Sequence, residues 1–522
     1  MLAFDGERLP PSVARRLAEA PAAGFTLFRS LNVRSPGQVR ELSEAFQRAA
    51  GGQSWSSAHP SIVAADQEGG QLIALGAEST AFAGNMALGA IDDVGLTERV
   101  GVAIGQEARA MGVNVVYAPV LDIASNPANP ALGIRSFGDE PGAVARHGVA
   151  MVRGLQAAGV AATVKHAPGM GHVAADTHHG LATVAAPRSV LDTREFVPFR
   201  AAFAAGARLA MSGHVVLPTV SGSPYLPATL SRAVMTDLLR NDLGFDGVTI
   251  SDALDMRAID QGDGLADAVV AAIRAGIDLL LTAADPAARE RIEGALSTAH
   301  AGGAFEAAEL AATERRVTAL RAWLGSAGPA GTVPDLSIVG GPDHLALAGE
   351  VAARSITLVR DPSGVLPLRA SRILAVMPRP TDLTPADTSS SIAPSLGSAL
   401  RGRGATVDEL IVEPAPDRAS IAAVRARASE ADVVVLGTID ASRQPAQRAL
   451  IDAVAAVGRP MVGVAMRGPW DVALFPEEAA VLATYSVLPS SLAALAAVLF
   501  GEATGPGRLP VRVARTPSGT RP

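Results

Sequence analysis

What the sequence lacks excludes several classes of protein. It contains no cysteine in 522 residues, which excludes structural disulfides, thiol nucleophiles and cysteine metal sites. Its formal net charge is −7, and a nucleic-acid partner is not expected because phosphate binding needs a basic surface. Aromatic residues make up only 4% of the chain while alanine is abundant, so we expect helices that pack closely on small side chains.

Two further absences concern export and membranes. The start of the chain, MLAFDGERLPPSVARRL, shows no apolar stretch after a basic segment, so no signal peptide is visible. No run of about 18 uncharged apolar residues occurs, so no transmembrane helix is expected. We therefore predict a soluble, cytoplasmic protein without a membrane partner, present as a monomer or a homodimer.

The first 324 residues show a regular alternation of short apolar runs and amphipathic segments. The whole chain is too long for one hydrophobic core, and this alternation ends near residue 325. The candidate strands are 2–4, 25–28, 62–65, 113–117, 162–164, 209–212, 248–251 and 278–281. Eight strand–helix alternations predict a (β/α)₈ barrel of the TIM type.

A second, smaller domain is predicted after a linker. Residues 325–336 are rich in glycine and proline, as linkers are. Strand patterns then return at 373–377, 433–437, 461–465 and 481–484, with helical segments between them. The fold class is thus α/β: a barrel over residues 1–324 and an α/β sandwich domain with a mostly parallel sheet over 337–515, followed by a tail, 516–522.

Polar side chains follow several of the predicted barrel strands. They are Asp66, Asp122, Lys165 with His166, His214 and Asp252. Active sites of such barrels lie at the carboxyl ends of the strands, so these side chains are candidates for one site. Asp252 suits a nucleophile or general base, and the alternative interpretation is a helix N-cap.

The segment 165–179, KHAPGMGHVAADTHH, contains four of the nine histidines. Asp176 stands two residues before His178, and an aspartate beside a histidine can orient the imidazole for proton transfer. The alternative is a polar loop whose histidines bond to backbone groups. Zinc binding is a third interpretation, but the spacing differs from the HExxH pattern. We therefore expect no metal and no cofactor.

The remaining candidates are predicted to hold the ligand. A buried lysine is rare without a partner, so Lys165 is expected to meet a hydroxyl-rich ligand or an acid such as Asp122 or Asp66. Arg135 suits recognition of oxygen atoms, although a single arginine is often structural. His214 is grouped with the substrate-binding residues in a supporting role.

Taken together, these motifs resemble those of bacterial β-N-acetylhexosaminidases of glycoside hydrolase family 3. The family pattern KH-x-P-G-x-G, four residues and D-[ST]-H is matched by residues 165–171 and 176–178. The D-Q-E-G-G element is matched by 66–70, the G-x-R-S-F-G element by 133–138, and the S-D nucleophile element by 251–252. PVLDI at 119–123 and GRLPV at 507–511 match as well, so the resemblance covers the whole chain.

The resemblance implies a retaining glycosidase that works by double displacement. Asp252 would be the nucleophile. His178, oriented by Asp176, would act as acid and then as base. Asp66, Arg135, Lys165 and His166 would bind the sugar. The implied substrate is a β-linked N-acetylhexosaminide, and peptidoglycan turnover is an implied setting.

The sequence departs from the family at two positions. Gln71 and Ala74 stand where basic residues are common, so substrate preference is expected to differ from that of the peptidoglycan-recycling members. One rival function is a phosphorylase, because a histidine acid avoids charge repulsion with phosphate. Another is a family 3 β-glucosidase, which would need a carboxylic acid, for example from the second domain. A non-catalytic carbohydrate-binding protein is disfavoured, since Asp252, Asp176 and His178 are all present.

Overall fold

The structure is a computed structural model. It describes residues 1–51, 59–174, 180–254, 256, 259, 264–282, 284–327, 333–369 and 372–513. They form two α/β domains, each built around a six-stranded sheet. Within these residues no helix is both long enough and apolar enough to cross a membrane.

The first domain is built around a ring of parallel strands. Its described strands are β1 (Gly24–Leu27), β2 (Ile62–Ala65), β3 (Gln67–Gly69), β4 (Leu72–Ile73), β5 (Val115–Val116), β6 (Ala161–Ala167), β7 (Ala182–Thr183), β8 (Leu209–Ser212), β9 (Val215–Val216) and β10 (Val248–Ser251). The parallel sheet follows the order β1-β2-β5-β6-β8-β10, which is also the order along the chain. Sequential parallel strands of this kind are typical of a barrel.

Two short segments close the ring. Leu2 forms a parallel bridge with Phe25, and Leu279 forms one with Ile250. The Thr282 N–H donates to the Met1 carbonyl at 3.3 Å, which joins the two segments. The predicted strands 2–4 and 278–281 therefore occupy ring positions, although each joins through a single bridge rather than a ladder. The predicted (β/α)₈ barrel is confirmed.

Side chains of the barrel strands alternate between two buried surfaces. Ile62 and Ala64 belong to the cluster inside the ring, together with Tyr117, whereas Val63 and Ala65 belong to the cluster outside it. Strands buried on both faces need continuous apolar sequence rather than alternation. This is why the strands could be recognised as short apolar runs.

The helices of the first domain surround this ring. Their bounds are α1 (Pro11–Glu19), α2 (Arg29–Asn32), α3 (Pro36–Ala49), α4 (Asn85–Ile91), α5 (Val94–Ala110), α6 (Pro141–Ala157), α7 (Arg188–Thr193), α8 (Phe196–Ala204), α9 (Pro218–Ser221), α10 (Leu265–Ala275), α11 (Pro286–Ala301) and α12 (Ala307–Ser326). A π-helix covers Ala233–Asp242, and 3₁₀ turns cover Gly133–Arg135 and Ala228–Leu230.

Helices α5 and α6 confirm the expected close packing on small side chains. A Cβ atom added to Gly154 would lie 2.2 Å from the Glu98 carbonyl oxygen, and one added to Gly101 would lie 2.9 Å from that of Met151. Only glycine lets the two backbones approach this closely.

The second domain contains a mostly parallel sheet, as predicted. Its elements are α13 (Pro342–Ser355), β11 (Thr357–Arg360), β12 (Arg372–Pro378), α14 (Leu396–Arg401), β13 (Thr406–Val412), α15 (Arg418–Glu430), β14 (Val433–Thr438), α16 (Pro445–Ala455), β15 (Met461–Ala465), β16 (Ala480–Ala483) and α17 (Pro489–Leu499), with 3₁₀ turns at Leu336–Ile338, Ser389–Ser391 and Pro469–Leu474. The strand order is β11-β16-β15-β14-β12-β13, and among these described strands only β11 runs antiparallel to its neighbour.

Both faces of this sheet are covered, which makes the domain an α/β sandwich. Ile373 packs in the cluster that contains Leu492 of α17, while Leu374 packs in the cluster that contains Leu450 of α16. The predicted linker begins inside α12, which ends at Ser326. The predicted tail, 516–522, lies outside the described residues.

The carboxyl edge of this sheet faces the barrel. Chain order reverses beside β12, which pairs with β13 on one side and β14 on the other, and a crevice at such a point is a common ligand site in open α/β sheets. Here the segment after β12 meets the mouth of the barrel, where the Thr388 N–H donates to the Gln71 carbonyl at 2.7 Å.

Candidate active site

A cavity of about 820 Å³ lies at the carboxyl ends of the barrel strands. Its lining includes five of the predicted site residues: Asp66, Arg135, Lys165, His166 and Asp252. They come from four separate stretches of sequence, and barrel closure brings them together. We call this cavity the pocket.

Asp252 follows β10 directly. Its N–H donates to the Ser212 carbonyl at 3.3 Å, and its Oδ1 accepts from the Ala253 N–H at 2.8 Å. The next described helix, α10, begins at Leu265 and has Gly264 as its N-cap. Asp252 is therefore not the cap of that helix, and its carboxylate reaches the pocket.

Lys165 makes two ion pairs at the base of the pocket. Its Nζ lies 2.5 Å from Asp66 Oδ1 and 2.6 Å from Glu68 Oε1, and the lysine side chain is only 2% exposed. Burial favours the neutral amine, but the two carboxylates outweigh it and raise the pKa of Lys165. The sequence suggested Asp66 or Asp122 as an acidic partner of Lys165. Asp66 is such a partner, whereas Asp122 binds His166 instead.

Glu68 is the central carboxylate of the site. Its oxygens accept two hydrogen bonds from Arg135, Nε to Oε2 at 2.9 Å and Nη2 to Oε1 at 2.8 Å. Burial alone would raise the pKa of Glu68, but Arg135 and Lys165 lower it to about 2. The charges alternate along Asp66, Lys165, Glu68 and Arg135, so each buried charge has an opposite neighbour.

His166 continues this network on the other side of Arg135. The Arg135 Nη2 lies 3.4 Å from His166 Nε2, and a guanidinium can only donate, so Nε2 is the acceptor. The Nδ1–H then donates to Asp122 Oδ2 at 2.7 Å. Asp122 also accepts from the Met170 N–H at 2.7 Å, so it orients both the imidazole and the start of the histidine-rich loop.

Both Lys165 and His166 line the pocket, although neighbours in a regular strand point to opposite faces. The ladder between β6 and β8 shifts register between Val164 and Ala167, so this part of β6 is irregular. This irregularity lets two consecutive side chains reach the same pocket.

The charged side chains of this network differ in their exposure to solvent. The Asp66 side chain is 25% exposed, whereas the side chains of Glu68 and Arg135 are 1% and 3% exposed. Asp66 is therefore the main acceptor that the network offers to a ligand. A rigid, fully paired cluster with one accessible carboxylate can bind vicinal hydroxyl groups at fixed positions.

His214 lies behind the pocket lining. It is fully buried, its Nδ1 bonds with Thr229 Oγ1 at 2.7 Å, and its Nε2 bonds with the Ala253 carbonyl at 3.0 Å. It thus supports the residue that follows Asp252. Its predicted contact with substrate stays a prediction.

Asp176 and His178 lie outside the described residues, so the predicted proton-transfer pair stays a prediction. Within the described part of the chain, no group of three or more histidine or acidic side chains is arranged to hold a metal ion.

The second domain forms the outer wall of the pocket. This wall is the segment 382–391, which contributes Asp382, Pro385, Ala386, Asp387, Thr388, Ser390 and Ser391 to the lining. Arg29, at the start of α2, lies on the barrel side. Its Nη1 donates to the Ile73 carbonyl at 2.9 Å. Burial lowers the pKa of Arg29, and the nearby charge of Asp382 partly opposes this shift.

The outer wall explains one departure from the family pattern. Gln71 Nε2 donates to the Ala386 carbonyl at 3.1 Å, and the Gln71 carbonyl accepts from Thr388. Gln71 thus binds the second domain instead of lining the pocket. Ala74 does line it, which leaves space where a larger basic side chain is common.

Four features of the site were missing from the sequence prediction: Glu68, the hydrogen bond between Asp122 and His166, Arg29 and the outer wall. A signal existed for Glu68, because it belongs to the D-Q-E-G-G element and a buried lysine beside a buried arginine needs more than one carboxylate. No sequence signal pointed to the outer wall.

Similarity to known proteins follows the same two-domain division. Residues 11–320 match the glycosyl hydrolase family 3 N-terminal domain, and residues 356–521 match the glycosyl hydrolase family 3 C-terminal domain. The chain belongs to glycosyl hydrolase family 3. The resemblance inferred from the motifs is confirmed, and the protein is a glycoside hydrolase.

Relatives within the family include full-length matches. The chain is 31% identical to β-hexosaminidase A of Pseudoalteromonas piscicida, over 97% of this chain and 91% of that protein. It is 34% identical to a β-N-acetylglucosaminidase/β-glucosidase of Cellulomonas fimi, over 61% of this chain and 57% of that protein. A family 3 β-N-acetylglucosaminidase from Paenibacillus sp. str. FPU-7 superimposes with a TM-score of 0.91 at 35% identity, covering 98% of this chain and 97% of that one.

Proposed function

We propose that the protein is a retaining β-N-acetylhexosaminidase that removes a terminal β-linked N-acetylhexosamine, such as N-acetylglucosamine. The observation that carries this proposal is the shared pocket of Asp252 and the Asp66–Lys165–Glu68–Arg135–His166 network. A sugar whose hydroxyls bind this network would present its anomeric carbon to the Asp252 carboxylate. The β-hexosaminidase and β-N-acetylglucosaminidase named among the full-length relatives support the same substrate class.

In the proposed reaction, Asp252 attacks the anomeric carbon and forms a covalent glycosyl–enzyme. His178, oriented by Asp176, protonates the departing oxygen and then activates the water that releases the sugar. The roles of these two residues rest on the D-[ST]-H motif, since both lie outside the described residues. The accessible Asp66 carboxylate would bind sugar hydroxyls, with Lys165, Arg135 and His166 completing the polar surface.

The charges of the pocket favour water over phosphate as the second acceptor. The two inner cations, Lys165 and Arg135, are already bound to Asp66 and Glu68. A phosphate would also enter a pocket lined by the Asp66 and Asp382 carboxylates, which repel it. Among the described lining residues, Arg29 is the remaining basic side chain.

A β-glucosidase with a carboxylic acid from the second domain is less well supported. Asp382 and Asp387 do line the pocket. Both oxygens of Asp387 already accept hydrogen bonds, from Arg467, Leu383 and Ser389. Asp382 accepts from Ser390 N and Oγ, both at 2.7 Å. Both carboxylates therefore stabilise the conformation of the outer wall.

A panel of nitrophenyl glycosides tests the proposal. The β-N-acetylglucosaminide should be cleaved in phosphate-free buffer, and added phosphate should not raise the rate. A rate that depends on phosphate, with a sugar phosphate as product, would establish the phosphorylase instead. Faster cleavage of the β-glucoside than of the N-acetylglucosaminide would contradict the proposed substrate class.

A further inference from the structure

The outer wall is fixed to the barrel by hydrogen bonds. Thr388 provides three of them. Its N–H donates to the Gln71 carbonyl at 2.7 Å, its Oγ1 donates to the same carbonyl at 3.0 Å, and Oγ1 also accepts from the Ile73 N–H at 3.1 Å. Gln71 Nε2 adds a fourth bond, to the Ala386 carbonyl. These bonds determine where the outer wall meets the strands β3 and β4.

On its own domain, the outer wall is held by a buried ion pair. Arg467, which follows β15, places Nη2 2.6 Å from Asp387 Oδ2, and the two side chains are 8% and 0% exposed. The same carboxylate accepts from the Leu383 N–H at 3.0 Å and the Ser389 N–H at 2.9 Å. Asp387 therefore joins both halves of the segment to the body of the second domain.

We propose that the Asp387–Arg467 pair is a positioning element that keeps the outer wall in place against the substrate. In this role the second domain sets how tightly substrate binds, while the barrel carries out the bond cleavage. The inference rests on the proposed N-acetylhexosaminidase function, because it assigns part of the affinity for that substrate to the second domain.

The geometry predicts an effect on KM rather than on kcat. Asp252 and the inner network belong entirely to the barrel, and no described hydrogen bond joins them to Asp387 or Arg467. Contacts made by the outer wall would be the same in the ground state and in the transition state. Losing such contacts raises KM and leaves kcat unchanged.

The test compares R467M with R467K on the nitrophenyl N-acetylglucosaminide, after thermal unfolding has shown that each variant is folded. R467M should raise KM roughly tenfold or more and change kcat little, because the buried carboxylate loses its cation. R467K keeps the charge and should recover part of the affinity. Equal KM values for the two variants would overturn the ion-pair role.

A second variant approaches the outer wall from the barrel side. T388V removes the Oγ1 contacts with Ile73 and Gln71 without touching the ion pair, and it should also raise KM. The matched control is R427M, which breaks the exposed pair of Arg427 with Asp408 in the same domain, where the side chains are 53% and 47% exposed. Its KM should equal that of the wild type.

The outcomes separate this inference from the proposed function. If the wild type cleaves the substrate and both R467M and T388V keep its KM, the inference is wrong and the function stands. A fall in kcat at constant KM would also overturn it. A wild type that does not cleave N-acetylglucosaminides would contradict the proposed function and this inference together.

Discussion

Replacing Glu68 with glutamine should destabilise the barrel by an amount that depends on pH. Glu68 is 1% exposed and binds both Arg135 and Lys165. Its pKa is about 2 in the folded protein against an ordinary value of 4.5. That difference of about 2.5 units corresponds to about 3 kcal/mol of stability at neutral pH. This value agrees with the cost of removing one partner of a buried ion pair, which is typically about 3–5 kcal/mol.

The sign of the pH dependence follows from the lowered pKa. The folded state keeps Glu68 ionised where the unfolded state would protonate it, so the stabilisation is complete above about pH 4.5 and is lost as the pH falls towards about 2. The difference in unfolding free energy between wild type and Glu68→Gln should shrink by about 2 kcal/mol between pH 7 and pH 3.

Urea unfolding followed by circular dichroism at several pH values measures this difference. Glu44→Gln is the matched control, because Glu44 forms an exposed pair with Arg48 and such pairs contribute at most about 0.5 kcal/mol. A Glu68→Gln difference that stays constant from pH 7 to pH 3 would refute the account of the network.

Three further predictions concern the pocket and its loop. Asp122→Asn places an amide hydrogen against the donors of His166 or Met170, and should lower kcat/KM roughly tenfold, as steady-state kinetics would show; an unchanged value would mean that His166 needs no such orientation. Gly171→Ala should prevent stable folding, because the new Cβ would lie 1.8 Å from the Ile123 carbonyl oxygen; a melting temperature equal to that of the wild type would contradict this contact. His178→Ala should slow aryl glycosides with good leaving groups much less than natural substrates, since only poor leaving groups need protonation; equal losses for both would remove His178 from the acid/base role.

Much of the barrel could be predicted because its local and global signals agree. The strands are buried on both faces, and their apolar runs are short and separated by amphipathic helices. The polar residues that end these strands, such as Asp66 and Asp252, reach one pocket because parallel strands bring their carboxyl ends together. Asp66 and Asp252 could therefore be assigned to one site from their positions at the ends of predicted barrel strands.

The features that were missed depend on contacts between distant parts of the chain. Glu68 lies in β3, and its partners are 67 and 97 residues away in sequence. The outer wall comes from the second domain, about 300 residues after the barrel residues that it contacts. Neither sequence spacing nor composition records such contacts.

Strand β13 was missed for a different reason. Thr406–Val412 carries Asp408 and Glu409 and lies at the edge of its sheet, where most of its side chains are exposed or half-buried. Edge strands often carry charges, which removes the apolar pattern that revealed the central strands.

The role of Asp252 as nucleophile can be tested by trapping the glycosyl–enzyme with a fluorinated N-acetylglucosaminyl substrate and locating the label by peptide mass spectrometry. We expect a single sugar attached to the Asp252 carboxylate, and no label in Asp252→Asn. A label on another residue, or turnover of the trap without a covalent intermediate, would contradict the proposed double displacement.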